Sequence, residues 1–180
     1  MKKYLFLLAC FGCLTCCKDS KNFPDLVKPD KYFRSNKMWV TIDSIEYESC
    51  VSGVFPSATA DYHPSYLQLS GYFGRCSADK DITKWFSVYM EVVNVHKTGI
   101  YALGDSLSGF GFYSRNIDSN FTRIDYTTNQ DHKGEVKITD FQVSTGKVSG
   151  DFFFTAFNKT IKDSIVVKGK FNNVALAKHF

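Results

Sequence analysis

The sequence predicts an all-β domain, a single antiparallel β-sandwich of about 9–10 strands, with a flattened lipocalin-like β-barrel as the alternative closure. Three observations carry this. Of the 180 residues, 17 are Phe, 10 Tyr and 2 Trp, and aromatic residues favour strands over helices. The 4 Pro fall at positions 24, 29, 56 and 64, so the chain beyond Pro64 lacks the residue that removes a ladder donor. Short apolar runs of period 2 are separated by Gly, Asn or Asp, and no long stretch sustains a helical period. Hydrophobic residues at 44% and charged residues at 22% are ordinary for a globular chain and exclude wholesale disorder. A net charge of +4 is too mild to make nucleic acid the main partner.

The first element is an address. Met1-Lys2-Lys3 is a basic start, and Tyr4 to Thr15 follows without a charge. That run is shorter than the roughly 20 residues a membrane-spanning helix needs, and it has the layout of a secretory signal. Leu14-Thr15-Cys16-Cys17 resembles the box of a bacterial lipoprotein signal, with Cys17 as the lipidated residue and Cys16 as the alternative. The departure from that pattern is Cys16 itself, at a position where a smaller residue is usual. The resemblance implies removal of residues 1–16 and palmitate-type acylation of Cys17. Two acyl chains already suffice for stable anchoring. The expected location is the bacterial outer membrane, lipid-anchored and either surface-exposed or periplasm-facing. Residues 17–36, with two prolines and many charges, read as a flexible tether.

Residues 37–180 are the all-β domain. Met38, Val40 and Ile42 alternate with Trp39, Thr41 and Asp43, as one buried and one wetter face require. Leu67 to Phe73 and Trp85 to Val92 repeat the pattern. Ile100 to Leu103, Phe110 to Tyr113, Phe121 to Thr128, Val136 to Ile138, Val148 to Ala156 and Ile165 to Phe171 follow. Ala78 to Lys84 has room for one helical turn.

In the last third, Gly134-Glu-Val-Lys-Ile-Thr-Asp140, Val148-Ser-Gly-Asp-Phe-Phe-Phe154 and Val167-Lys-Gly-Lys-Phe-Asn172 occur in order. With Tyr101 to Leu103 before them, they resemble the closing motifs of an uncharacterised family of small Gram-negative envelope lipoproteins. The resemblance covers residues 84–175. It implies an all-β fold and an envelope location, and supplies no reaction or residue roles.

Few residues suggest chemistry. Cys50 and Cys76 remain beside the lipidated cysteine, and an even pair in an oxidising envelope reads as a disulfide bond. A loop of that length would stabilise by about 3–4 kcal/mol. It would hold the Phe55 to Tyr72 stretch, which reads as a long excursion and the first candidate binding surface. Gly104-Asp105-Ser106-Leu107 resembles the nucleophile signature of one esterase and lipase family. That family places Asp three residues before its C-terminal His, whereas here Leu176 precedes His179 at that spacing. A Gly-Asp turn between strands is the simpler reading. Asp61-Tyr62-His63 and Asp131-His132 could each offer two metal ligands, short of the four a structural zinc site needs. Tyr62, Tyr66, Tyr72, Trp85 and Tyr89 are candidates for a sugar-stacking platform, set against the usual role of aromatics as packing. The expected function is a non-enzymatic envelope binding or interaction module with a protein or glycan partner, no nucleic acid, and no cofactor or metal. The alternatives are a carrier of a small hydrophobic ligand and a Ser106-dependent esterase.

Overall fold

A computed structural model of the chain describes residues 36–50, 56–74, 81–104 and 107–179. Cys16, Cys17, the tether up to residue 35, Cys76 and Ser106 lie outside the described residues. Eleven strands are present among them: β1 (Lys37–Ile42), β2 (Ile45–Glu48), β3 (Ala58–Tyr62), β4 (Tyr66–Phe73), β5 (Phe86–Val93), β6 (Gly99–Leu103), β7 (Gly109–Asn116), β8 (Arg123–Thr127), β9 (Gly134–Gln142), β10 (Lys147–Asn158) and β11 (Asp163–Lys178). The one helical element described is a single 3-10 turn, Ile82–Lys84, within the stretch expected to make one.

The strands form one mixed sheet in the order β2-β1-β11-β3-β4-β5-β7-β8-β10-β9-β6, with β10 also paired to β11. The sheet folds over, so that β2, β1, β11, β10, β9 and β6 face β3, β4, β5, β7 and β8. Two seams join the layers. At one, the end of β11 runs parallel to β3 through Leu176↔Ala60, Ala177↔Asp61 and Lys178↔Tyr62. At the other, β10 meets β8 through the pair Phe157↔Thr127. Seams this short make a sandwich, not a closed barrel, which corrects the lipocalin-like alternative. The parallel seam also makes the sheet mixed where an antiparallel one was expected.

The core between the layers follows from alternation. Leu67, Leu69 and Phe73 of β4 and Val88, Met90 and Val92 of β5 are fully buried against Met38, Phe152, Phe154 and Phe171 of the other layer. Each such side chain contributes roughly 1.5–3 kcal/mol on burial. Trp39 departs from its expected wetter face and is 2% exposed. It stands between Glu48 of β2 and Lys170 of β11, whose long stems can cover a ring from both sides.

Two strands were not visible in the sequence. β2 returns from β1 through Asp43 and Ser44, at φ 49° and 65°, a turn with two left-handed residues but without the usual Gly. β3 is built from Ala-Thr-Ala-Asp-Tyr, a composition of low strand propensity. It holds its place because Ala58 and Ala60 are buried and its edges pair with β4 and β11. Of the expected excursion from Phe55 to Tyr72, the described part, from Pro56 on, is therefore β3, a tight turn and most of β4.

Candidate ligand-binding site

The outward side of β4, β5 and β7 gathers aromatic and polar side chains, half-buried except for the buried Ser114, in three cross-strand rows. Strand register sets them: Gln68↔Glu91↔Phe110, then Ser70↔Tyr89↔Phe112, then Tyr72↔Ser87↔Ser114. Each residue faces outward because its neighbours in sequence face the core. In β7 the parity is fixed by glycine. A Cβ on Gly111 would lie 2.8 Å from the Phe154 ring, so only glycine fits inward there, and Phe110 and Phe112 are turned outward on either side of it. Gly109 adds a second constraint. Its φ is 105° and a Cβ would meet the Glu91 carbonyl oxygen at 2.4 Å, so the close approach of β7 to β5 needs a residue without one.

The result is a shallow cleft of about 380 Å³ lined by Ser70, Tyr72, Ser87, Tyr89, Phe110 and Phe112. The Tyr89 and Phe110 rings lie 5.6 Å apart at 37°. One rim is polar and ordered: Gln68 Nε2 donates to Glu91 Oε2 at 3.0 Å, and the Tyr89 hydroxyl donates to the same oxygen at 3.2 Å. Burial, with the Glu91 carboxylate beside it, raises the Tyr89 pKa above the ordinary tyrosine value, so the hydroxyl stays a donor at neutral pH. Thr59 and Ser70 share a hydrogen bond at 2.6 Å, and the Ser114 hydroxyl donates to Asp125 at 2.6 Å. Rings therefore alternate with fixed hydrogen-bonding groups across one open face.

Of the aromatic candidates from the sequence, Tyr72 and Tyr89 lie in this cleft. Tyr66 lies on the same face at the far end of β4, stacked on His63 with centroids 4.3 Å apart. Tyr62 points the other way, packing edge-on to Phe141 at 5.3 Å, because it pairs with the inward Leu67. Trp85 precedes β5 and sits 6.2 Å from Phe121, outside the cleft. Phe110 and Phe112 were missed. The signal was present in Gly109-Phe-Gly-Phe, where glycines at alternate positions turn the phenylalanines outward.

The other candidates are dispersed. Gly104 N–H donates to the Gly109 carbonyl at 2.9 Å, bridging the connection from β6 to β7, which do not pair with each other, where the esterase family has a strand-to-helix turn. Cys50 N–H donates to the Tyr72 carbonyl at 3.1 Å, so Cys50 lies alongside the end of β4. Asp61, His63 and His179 meet at one end of the sandwich. There His179 Nε2 is 3.3 Å from Asp61 Oδ1, and the two imidazoles stack at 4.6 Å and 9°, presenting faces, not nitrogens, to each other. His132 stacks on Phe157 and its Nδ1 lies 3.1 Å from Asn129. Among the described residues no group of three or more His, Cys, Asp or Glu is arranged to hold a metal ion, and no helix is long and apolar enough to cross a membrane.

Residues 87–175 match the model of a family described as a domain of unknown function (DUF6252). The match runs from β5 into β11, nearly the stretch over which the sequence resembled an uncharacterised family. No curated protein and no solved structure matches the chain.

Proposed function

We propose that this chain is a lipid-anchored, non-enzymatic binding module of the bacterial envelope, and that its ligand is a glycan seated on the cleft of β4, β5 and β7. The observation that carries the ligand class is the arrangement of rings and hydrogen-bonding groups on one face. Tyr89 and Phe110 lie beside each other, and Glu91, Gln68, Ser70 and Ser87 stand within the same rows. A pyranose offers C–H faces to rings and hydroxyl edges to carboxylate, amide and hydroxyl groups. Aromatic residues with fixed polar neighbours match both at once. A protein partner would be better served by a larger continuous apolar patch.

The anchor rests on Cys17 and the short signal before it, and the Cys50–Cys76 disulfide on an even cysteine pair in an oxidising compartment. The hydrogen bond from Cys50 to Tyr72 supports that pairing, because β4 ends at Phe73, three residues before Cys76. In such a module the lipid would hold the domain at the membrane while the cleft, on the outward side of the sheet, meets its ligand.

Affinity electrophoresis and calorimetry with maltohexaose, cellohexaose and chitohexaose test the reading. At least one should bind, and Tyr89→Ala and Phe112→Ala should each weaken it about tenfold. Binding that survives both substitutions would remove the cleft from the account.

A further inference from the structure

A second cleft opens at the end of the sandwich, on the core side of the sheet and away from the outer face. It holds about 370 Å³, within the range of small-molecule sites. Its walls come from both layers: Ile45 and Tyr47 of β2, Ile165 of β11, and Phe86 and Tyr113 of β5 and β7. Tyr47 meets Phe86 edge-on at 4.9 Å, so the walls touch at the back of the cleft. Ile45 at the lip is 57% exposed, an apolar side chain held at an opening and not in the core.

Arg115 is the unexpected member. It occupies the last inward position of β7, after Gly109, Gly111 and Tyr113, where the pattern calls for a core residue. It stays exposed because the strand ends at Asn116 and the layers part there. The ion pairs described are Lys37–Glu48, Lys84–Asp81, Lys170–Asp151 and His179–Asp61; among the described residues Arg115 has no carboxylate within ion-pair distance. Asp43 also lines the cleft, from the turn between β1 and β2, without reaching Arg115. The Tyr126 hydroxyl donates to Asp163 at 3.2 Å and has the Arg115 side chain within hydrogen-bonding reach, which engages one edge of the guanidinium and leaves its other donors for a ligand. A guanidinium presents a planar fork of donors suited to a carboxylate; the walls are mostly apolar, with Thr83 and Lys84 also lining the cleft and Lys84 paired to Asp81 at 3.6 Å.

We propose that this mouth is a second binding site, which takes a small ligand with a carboxylate head and an apolar body. The head lies against Arg115 and the body runs between Ile45, Tyr47, Phe86 and Ile165. The site is independent of the outer cleft, since no residue that carries the argument is shared.

The test is a titration of the purified protein with octanoate, octanol and octylamine, followed by calorimetry and by amide and methyl chemical shifts. Octanoate is expected to bind at least tenfold more tightly than octanol or octylamine, and to shift Ile45, Tyr47, Phe86 and Ile165. Arg115→Gln should lower octanoate affinity at least tenfold and leave octanol unchanged, whereas Arg115→Lys should retain part of the preference. Equal binding of the three probes, a preference for the amine, unaltered octanoate binding in Arg115→Gln, or shifts confined to Tyr72, Tyr89 and Phe112 would each overturn the proposal. Failure here leaves the glycan reading of the outer face standing, because the oligosaccharide titrations report on other residues.

Discussion

Gly111 and Phe154 lie face to face across the two layers, with the Phe154 ring 2.8 Å from where a Cβ on Gly111 would stand. Phe154 is fully buried, so the ring has no room to retreat. This contact fixes which side of β7 faces inward, and so sends Phe110 and Phe112 to the outside. Gly111→Ala is expected to cost about 1–3 kcal/mol by overpacking, read as a shift in the urea midpoint. Combining it with Phe154→Leu should recover part of the loss, because the two sites are in contact and do not act additively.

The outer face should behave differently. Tyr89 and Phe112 are half-buried on the solvent side of the sheet, where cross-strand pairs contribute roughly 0.2–1 kcal/mol. Tyr89→Ala and Phe112→Ala should therefore leave the fold nearly as stable as the parent, measured by thermal unfolding, while reducing oligosaccharide affinity. A large loss of stability in both would mark the rings as structural.

Alkaline pH should loosen the core. Burial pushes the Tyr113 hydroxyl up to about 12, against a smaller pull downward from Arg115, whereas an unfolded tyrosine titrates near 10. The folded state then holds the proton more tightly than the unfolded state. The contribution is fully present below about pH 10 and is lost as pH rises towards about 12, worth roughly 2–3 kcal/mol over that window. Tyr126 shifts in the same direction through burial, so Tyr113→Phe should flatten the pH dependence only in part. Unfolding free energies at pH 9 and pH 11.5 measure this.

The pairing of Cys50 with Cys76 makes a separate prediction. Thiol titration of the unfolded, unreduced mature protein should find neither cysteine free. Cys50→Ser should lower stability by about 3–4 kcal/mol in the loop-entropy account. Two free thiols would contradict the pairing.

The turn between β7 and β8 should depend on one carboxylate. The backbone N–H groups of Asn120 and Thr122 donate to Asp118 Oδ1 at 2.9 and 3.0 Å, which holds the Asp118 pKa below the usual carboxylate value, with Thr122 the main cause. Acidification through that lowered pKa removes the contribution, which is present above the unfolded value. Asp118→Ala should speed amide exchange at Asn120 and Thr122 at neutral pH.

Sequence reasoning read strands well where the alternation was apolar against polar. β5 appears in full because Phe86, Val88, Met90 and Val92 alternate with Ser87, Tyr89 and Glu91. It lost β2 and β3, whose turn lacks glycine and whose buried positions are alanines, since small residues give little hydrophobic contrast. It cut β11 short at Phe171. The strand continues through Asn173, at φ 46°, and on the edge that β1 leaves after Asn172 it takes up β3 from Leu176, a tertiary event that leaves no local periodicity. The binding face was half legible. Tyr72 and Tyr89 stood out as tyrosines, but their meeting with Phe110 and Phe112 depends on β7 lying beside β5 instead of β6, and sequence order gave no hint of that.

The central claim is that the outward side of β4, β5 and β7 holds a glycan. The most direct measurement is chemical-shift mapping of the protein titrated with the hexasaccharide that binds most tightly. The account predicts saturable shifts centred on Gln68, Tyr72, Tyr89, Glu91, Phe110 and Phe112. Absence of binding by all three oligosaccharides, or shifts centred elsewhere on the sandwich, would contradict it.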